Sequence, residues 1–258
     1  MRRDAERYAA LFSSSDVTWA GYTASARQSV DALGVIGLSQ AYPIILSGLE
    51  RFPKSEMIRL LWLLECIAVR HQLVGRKRPG RVESLGSRAA REIYGGKLKT
   101  TSDVFSVIRE LYVPDDEFRL LFENHEEGSG RKARYLLTGI ERQSVNRDNE
   151  TLNNELIPYN VTLEHIFPRS PSNEWMDSVK EDKEWDSRHI RRLGNLCLLP
   201  SINHALGNKT FAEKRPIYKK SKLNTTRNLE KYEHWTRAEI LERQRHMATL
   251  AVAAWRFQ

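Results

Sequence analysis

The segment Thr162-Leu163-Glu164-His165-Ile166-Phe167-Pro168 sets a carboxylate beside an imidazole just ahead of a proline. Leu193-Gly194-Asn195 follows, with Asn195 thirty residues after His165, and Asn203, His204 and Asn208 come soon behind. An imidazole exchanges its proton near neutral pH, and carboxylate and amide oxygens are donors suited to hard cations. Taken singly these residues say little: a lone histidine beside a strand is usually a satisfied structural group, and an Asn after Gly is usually a turn residue. Their order and spacing carry the information. Charge adds to it. Arg188, Arg191, Arg192, Lys209, Lys214, Arg215, Lys219, Lys220 and Lys222 lie between 188 and 222, where Glu213 is the only acid. That is a local basic field suited to a polyanion.

Particular elements must bring these residues together. Val161 to Phe167 has strand character and stops at Pro168, and Leu196 to Leu199 makes a second short apolar strand. Pro200 and Ser201 then fit a helix start. The long interval between the strands carries Trp175 and Trp185, for which core packing is the expected role and DNA contact the alternative. Near the end, Thr236-Arg237-Ala238-Glu239 is a capping-box pattern that opens a long helix with Ile240, Met247, Ala251 and Ala254 on one face. The first ~145 residues read as helices from their apolar spacing. Ser55 is placed to cap a helix from Met57 to Leu73 that Gly75 stops. Ser102 or Asp103 opens one through Val104, Ile108 and Leu111, Pro114 to Asp116 starts the next, and Arg131 to Gln143 gives another. Arg76, Lys77 and Arg78 form a basic turn, and Val145 to Pro158 has the polar composition of a linker.

The bulk numbers agree with a polyanionic partner. The chain has 258 residues, Lys+Arg 41 against Asp+Glu 33, and a formal net charge of +8, with a pI near 9.5. No apolar run is long enough to span a bilayer. Cys66 and Cys197 each sit in an apolar stretch, so buried thiols are expected in place of a disulfide or a zinc site, in a reducing, cytoplasmic setting.

The motif resembles the HNH, or ββα-metal, nucleases, in which a His and its neighbour end one strand, an Asn begins the next, and Asn or His on the following helix completes the site. More narrowly, Glu164-His165-Ile166-x-Pro168, Leu193-Gly194-Asn195-Leu196-x-Leu198-Leu199, Asn208-Lys209-x-Phe211 and Glu213-Lys214-Arg215 look like the C-terminal nuclease domain of GmrSD-type restriction enzymes, over roughly Arg131 to Trp255. The segment from Lys132 to Leu137 with Ile140-Glu141 resembles the helix that precedes the motif there.

The resemblance implies that His165 is the general base, Glu164 a metal ligand, Asn195 a brace that orients the His165 ring, and Asn203 the second ligand. Glu164 and His165 are neighbours on a strand and point to opposite faces, so serving one site requires the backbone to bend. The interval from Asn195 to Asn203 is eight residues where the family pattern has nine, which leaves His204 as a rival ligand. On a helix His204 would share a face with Asn208 and make a more zinc-tolerant site. Glu164 with Asn203 would suit Mg²⁺ or Mn²⁺ better than Zn²⁺. Lys209, Lys214 and Arg215 are candidate phosphate contacts.

The expected architecture is therefore α+β and mainly α: a helical domain over 1–145, then an HNH-type ββα-metal nuclease domain over 146–258 with a long C-terminal helix. The expected function is metal-dependent nicking or cutting of DNA, and the resemblance implies modified DNA as a target, a setting in restriction and antiviral defence, and 5′-phosphate and 3′-hydroxyl ends. A DNA-binding module without turnover and an RNA-directed nuclease are the alternatives. Family members also carry an N-terminal nucleotide-hydrolysing domain, whose Asp-Gly-Gln-Gln-Arg-like motif has no counterpart in this sequence, so that domain is an expected partner.

Overall fold

A computed structural model of the chain describes residues 2–146, 161–200 and 206–258. It is mainly helical, with two compact units: 1–118 together with 255–258, and 119–254.

The first unit contains α1 (Arg2–Ala10), α2 (Ala24–Ile36), α3 (Tyr42–Arg51), α4 (Lys54–Ile67), α5 (Pro79–Tyr94) and α6 (Thr101–Ile108). Met57, Leu60, Leu61, Leu63 and Leu64 are all buried, so α4 is apolar around most of its circumference and forms the centre. The expected helix over 57–73 is split: Ala68–Val74 continues α4 as a π-helix. The wider turn brings the Gly75 amide onto Arg70 O at 3.1 Å. A Cβ at Gly75 would lie 2.5 Å from that same oxygen. Ser55 does not cap α4; Pro53 holds the N-cap position with no side-chain bond. Nor do Ser102 or Asp103 cap α6, because Thr100 does so, with Asp103 returning the bond. The buried Arg70 fixes the end of the chain in this unit: Nε donates to Trp255 O at 2.6 Å, Nη1 to Val113 O at 2.8 Å, and Nη2 pairs with Asp115 at 2.8 Å.

Helix α7 (Asp115–Glu123) crosses the division between the units. The second unit then contains α8 (Gly130–Asn146), β1 (Val161–His165), α9 (Asn173–Asp177), β2 (Leu196–Pro200), α10 (Phe211–Lys219), α11 (Asn224–Arg227) and α12 (Arg237–Ala254). The units divide at 118/119, ahead of the composition change at 145. The reason is that α8 packs on both strands and on α12. Most of the polar stretch 145–158 lies outside the described residues.

Strands β1 and β2 pair antiparallel in a register running from Val161↔Pro200 to His165↔Leu196. Leu196, Cys197, Leu198 and Leu199 are buried in succession, which explains the unbroken apolar run of β2. Both cysteines are free and buried, and burial pushes the Cys197 thiol up to about 12. Trp175 packs on Phe167 at a ring-centroid distance of 4.9 Å and Trp185 does so at 4.5 Å, so Trp175 is a core residue and the half-buried Trp185 packs against the core.

Helix α12 sets the entry to β2. Thr236 and Glu239 cap it as expected, Thr236 N donating to Glu239 Oε2 at 2.7 Å, and Ile240, Met247 and Ala251 are buried. Its main chain lies against Gly194, where a Cβ would stand 2.1 Å from Ile240 O and 3.1 Å from Gln244 N. Backbone atoms cannot swing away as a side-chain tip can. Gly194→Ala is therefore expected to lower stability by about 1–3 kcal/mol, seen as a lower denaturant midpoint; an unchanged midpoint would contradict this packing.

Candidate active site

The first strand ends at His165, and the chain leaves it through Ile166 and Phe167 to Pro168. This departure from strand geometry lets neighbours of opposite facing share a site. Glu164 and His165 line one shallow cleft of ≈ 250 Å³ with Pro168, Arg169, Ser170, Gly207 and Asn208. Pro200 is the last residue of β2, the helix expected from Pro200 and Ser201 falls on residues outside the described ones, and residues 207 and 208 form a turn. The first helix after β2 among the described residues begins at Phe211, capped by Thr210 and Glu213. Asn208 therefore reaches the cleft from a turn, not from a helix face. Asn203 and His204 lie outside the described residues.

Asn195 is fully buried and uses its whole bonding capacity. Oδ1 accepts from Phe167 N at 2.8 Å and from Trp235 Nε1 at 2.9 Å; Nδ2 donates to Phe167 O at 2.9 Å and to Ile190 O at 3.1 Å. An amide offers two donors and two acceptor sites, so nothing remains for the imidazole. Asn195 braces the loop that carries His165; it does not orient the ring. Its own position is set by α12: Gly194 N donates to Gln244 Oε1 at 2.5 Å, and the buried Arg243 donates through Nη1 to Gly194 O and Leu196 O, each at 2.7 Å.

Lys214 corrects the sequence reading. It is completely buried, and its three ammonium protons go to Glu164 Oε1 at 2.9 Å, His165 O at 3.1 Å and Ile166 O at 3.1 Å. With three donors spent it has none for a phosphate. Arg215 is half-buried and gives its Nε to Glu230 O at 2.8 Å. Lys209 is exposed beside Asn208. The cleft residues that sequence reasoning missed are Arg169, Ser170 and Gly207. Arg169 had a signal, as the first basic residue after His165 and just beyond the strand-ending proline.

Burial, with the charges of Arg169 and Lys214, lowers the His165 imidazole from the usual 6.5 to about 4, so the ring is neutral at pH 7. Among the described residues no three His, Cys, Asp or Glu side chains cluster to hold a metal. The cleft offers the Glu164 carboxylate, the Asn208 amide and the His165 nitrogens. Lys214 takes Oε1 of Glu164, and Oε2 makes no hydrogen bond among the described residues. One carboxylate oxygen with an amide oxygen fits a hard cation that keeps several waters, and not a closed zinc site.

Asn195→Ala should cost at least about 2 kcal/mol by stranding buried partners, measurable by urea unfolding. Lys214→Met should likewise cost about 2 kcal/mol or more by breaking a buried pair. It should leave the salt dependence of DNA binding unchanged; a weaker salt dependence would restore Lys214 to the phosphate-contacting set. For His165 the folded ring resists a proton that the unfolded chain accepts. Its contribution is thus complete above about 6.5, declines as the pH falls towards about 4, and is level below. In EDTA, His165→Gln should flatten the slope of stability against pH across that window, and identical slopes would refute the lowered value.

No curated protein matches the chain. The sequence model of GmrSD restriction endonucleases, C-terminal domain, matches residues 112–250, a span that contains α8, both strands, Glu164, His165 and Asn195. With more than half of its length matched, the chain belongs to the family of GmrSD restriction endonucleases, C-terminal domain.

Proposed function

We propose that the chain is a metal-dependent DNA endonuclease of the HNH, ββα-metal type, with His165 as general base. The single observation that carries the reading is the convergence of Glu164 and a neutral His165 in one cleft, on a strand end held by Asn195 and Lys214. A general base must be unprotonated at the working pH, and the His165 ring is so at pH 7.

Water attacks phosphorus as His165 takes its proton, the bond to the 3′ oxygen breaks with its electron pair on that oxygen, and the oxygen takes a proton from solvent, leaving 5′-phosphate and 3′-hydroxyl ends. Glu164 through Oε2 and Asn208 would hold a divalent ion, Mg²⁺ or Mn²⁺ in preference to Zn²⁺, with Asn203 the proposed further ligand and His204 its rival. When bound, such an ion supplies Lewis acidity to the phosphate oxygens. Asn195 is a positioning residue for the His165 loop. Lys209, exposed next to Asn208, remains a candidate phosphate contact. The proposed setting is modification-dependent restriction in phage defence, in partnership with a nucleotide-hydrolysing domain.

One observation favours a second reading, a DNA-binding module without turnover: Glu164 already has an internal partner in Lys214. A plasmid assay separates the two. Supercoiled DNA is incubated with wild type or His165→Ala in Mg²⁺, Mn²⁺, Zn²⁺ or EDTA, beside structured RNA at equal metal. The expected outcome is open-circular or linear DNA in Mg²⁺ or Mn²⁺, none in EDTA, and a loss of at least about 100-fold in the variant. Full cleavage by His165→Ala would remove it as the base, DNA binding without cleavage in any metal would favour the module, and preferential RNA cleavage would change the substrate.

A further inference from the structure

A second cleft of the 119–254 unit, larger at ≈ 380 Å³, is lined by Arg188, Arg192, Arg237 and Arg245, with His189 among them. It shares no lining residue with the His165 cleft. Three carboxylates also line it, and two of these are already engaged. Asp186 pairs with Arg188 at 2.6 Å, and Glu184 pairs with Arg237 at 2.6 Å, which Asp182 also holds at 2.8 Å. These pairs fix two guanidiniums in place. Arg192 and Arg245 have no carboxylate within salt-bridge distance among the described residues.

Arg192 is the informative member. It is half-buried, its Nη1 donates to Glu123 O at 2.8 Å, and its buried Nε has no hydrogen-bond partner among the described residues. A buried donor on a cation without an acceptor is costly, and an anion oxygen would satisfy it. Planar guanidinium forks match the paired oxygens of a phosphate.

Location selects the source of that phosphate. His189 stacks on Trp185 with centroids 5.3 Å apart, and Trp185 lies 4.5 Å from Phe167, two residues from His165. A nucleic-acid strand presents a phosphate about every 3.4 Å along the helix axis. A group a few nucleotides from the scissile bond is therefore within reach.

We propose that the arginine cleft binds a backbone phosphodiester of the DNA substrate, away from the bond that is cut, and anchors the strand in place of Lys214 and Arg215. This rests on the nuclease reading for its substrate, and its test separates the two. Arg245, exposed on α12, can be replaced without disturbing packing, whereas Arg192 also holds main chain; Arg245→Gln therefore carries the test and Arg192→Gln supports it. Affinity for a labelled duplex is measured in EDTA by fluorescence anisotropy over a salt series. Arg88→Gln, a charge removal on α5, serves as the control.

The expected result is about five-fold or more weaker binding for each cleft variant and a salt slope smaller by about 1, with the control unchanged. Wild-type affinity and slope in Arg245→Gln overturn the proposal, even if inorganic phosphate binds the cleft, since the anion would then not be the DNA backbone. Plasmid nicking is run alongside. Nicking by wild type with unaltered binding in Arg245→Gln removes the cleft alone. Weakened variant binding with no nicking by wild type removes the nuclease reading alone, and no DNA binding by wild type removes both.

Discussion

Four hydrogen bonds meet at the carboxamide of Asn195, and through them β2 and the segment after β1 become one rigid object. A two-stranded sheet is marginal on its own in water. Here the buried amide holds Phe167 by both its N–H and its carbonyl, so any sliding of one strand end past the other breaks several bonds together. Networks of this kind strengthen one another in a low-dielectric interior. The place of Asn195 depends in turn on α12, where Gln244 and Arg243 hold the main chain of 193–196 and where only glycine fits at 194. His165 is thus positioned by a helix that begins seventy-two residues further along the chain.

Lys214 shows how a charge can be used for architecture. Taking an ammonium out of water costs several kcal/mol, about as much as a good set of partners returns. Lys214 has such a set in one carboxylate and two carbonyls, all from the 164–166 segment. The same bonds fix Glu164 and lend positive charge to the surroundings of His165, which helps to keep the imidazole neutral. The basic run between 188 and 222 is accordingly less available than its count suggests. Arg188 is paired with Asp186, Arg191 with Glu126 and Lys219 with Glu230. What an anion can meet depends on which cations are left unmatched, and that leads to the cleft of Arg192 and Arg245.

Each compact unit also buries a guanidinium to hold chain that is neither regular helix nor sheet. In the first, Arg70 accepts this role for Trp255 and Val113 and lies over the rings of Tyr112 and Phe118 at 4.4 and 4.6 Å. In the second, Arg243 does so for 193–196 and, through Nη2, for Thr225 O at 3.3 Å. Burial disfavours the charge on Arg243, and several carbonyl acceptors offset that cost. A guanidinium suits the task because its donors lie in one plane and reach several carbonyls at once.

The sequence alone determined what is written in contiguous residues: the two strands, the helices that precede them, the capped helix from Thr236, core-packing roles for Trp175 and Trp185, and the pairing of Glu164 with His165 in one motif. Alternation and helical period are local and survived folding, as did the Thr236–Glu239 cap, while the caps expected from Ser55 and from Ser102 or Asp103 passed to Pro53 and Thr100. The turn that carries Asn208 and the division at 118/119 were decided by tertiary packing, as were the roles of Asn195, Lys214 and Gly194, whereas the start of α10 at Phe211 follows a local Thr210–Glu213 cap that the sequence reading passed over. Lys214 meets Glu164 and Gly194 meets Gln244 across fifty positions. Whether a lysine is a surface charge or an internal strut depends on which acceptors surround it after desolvation, and no window of neighbouring residues contains that information.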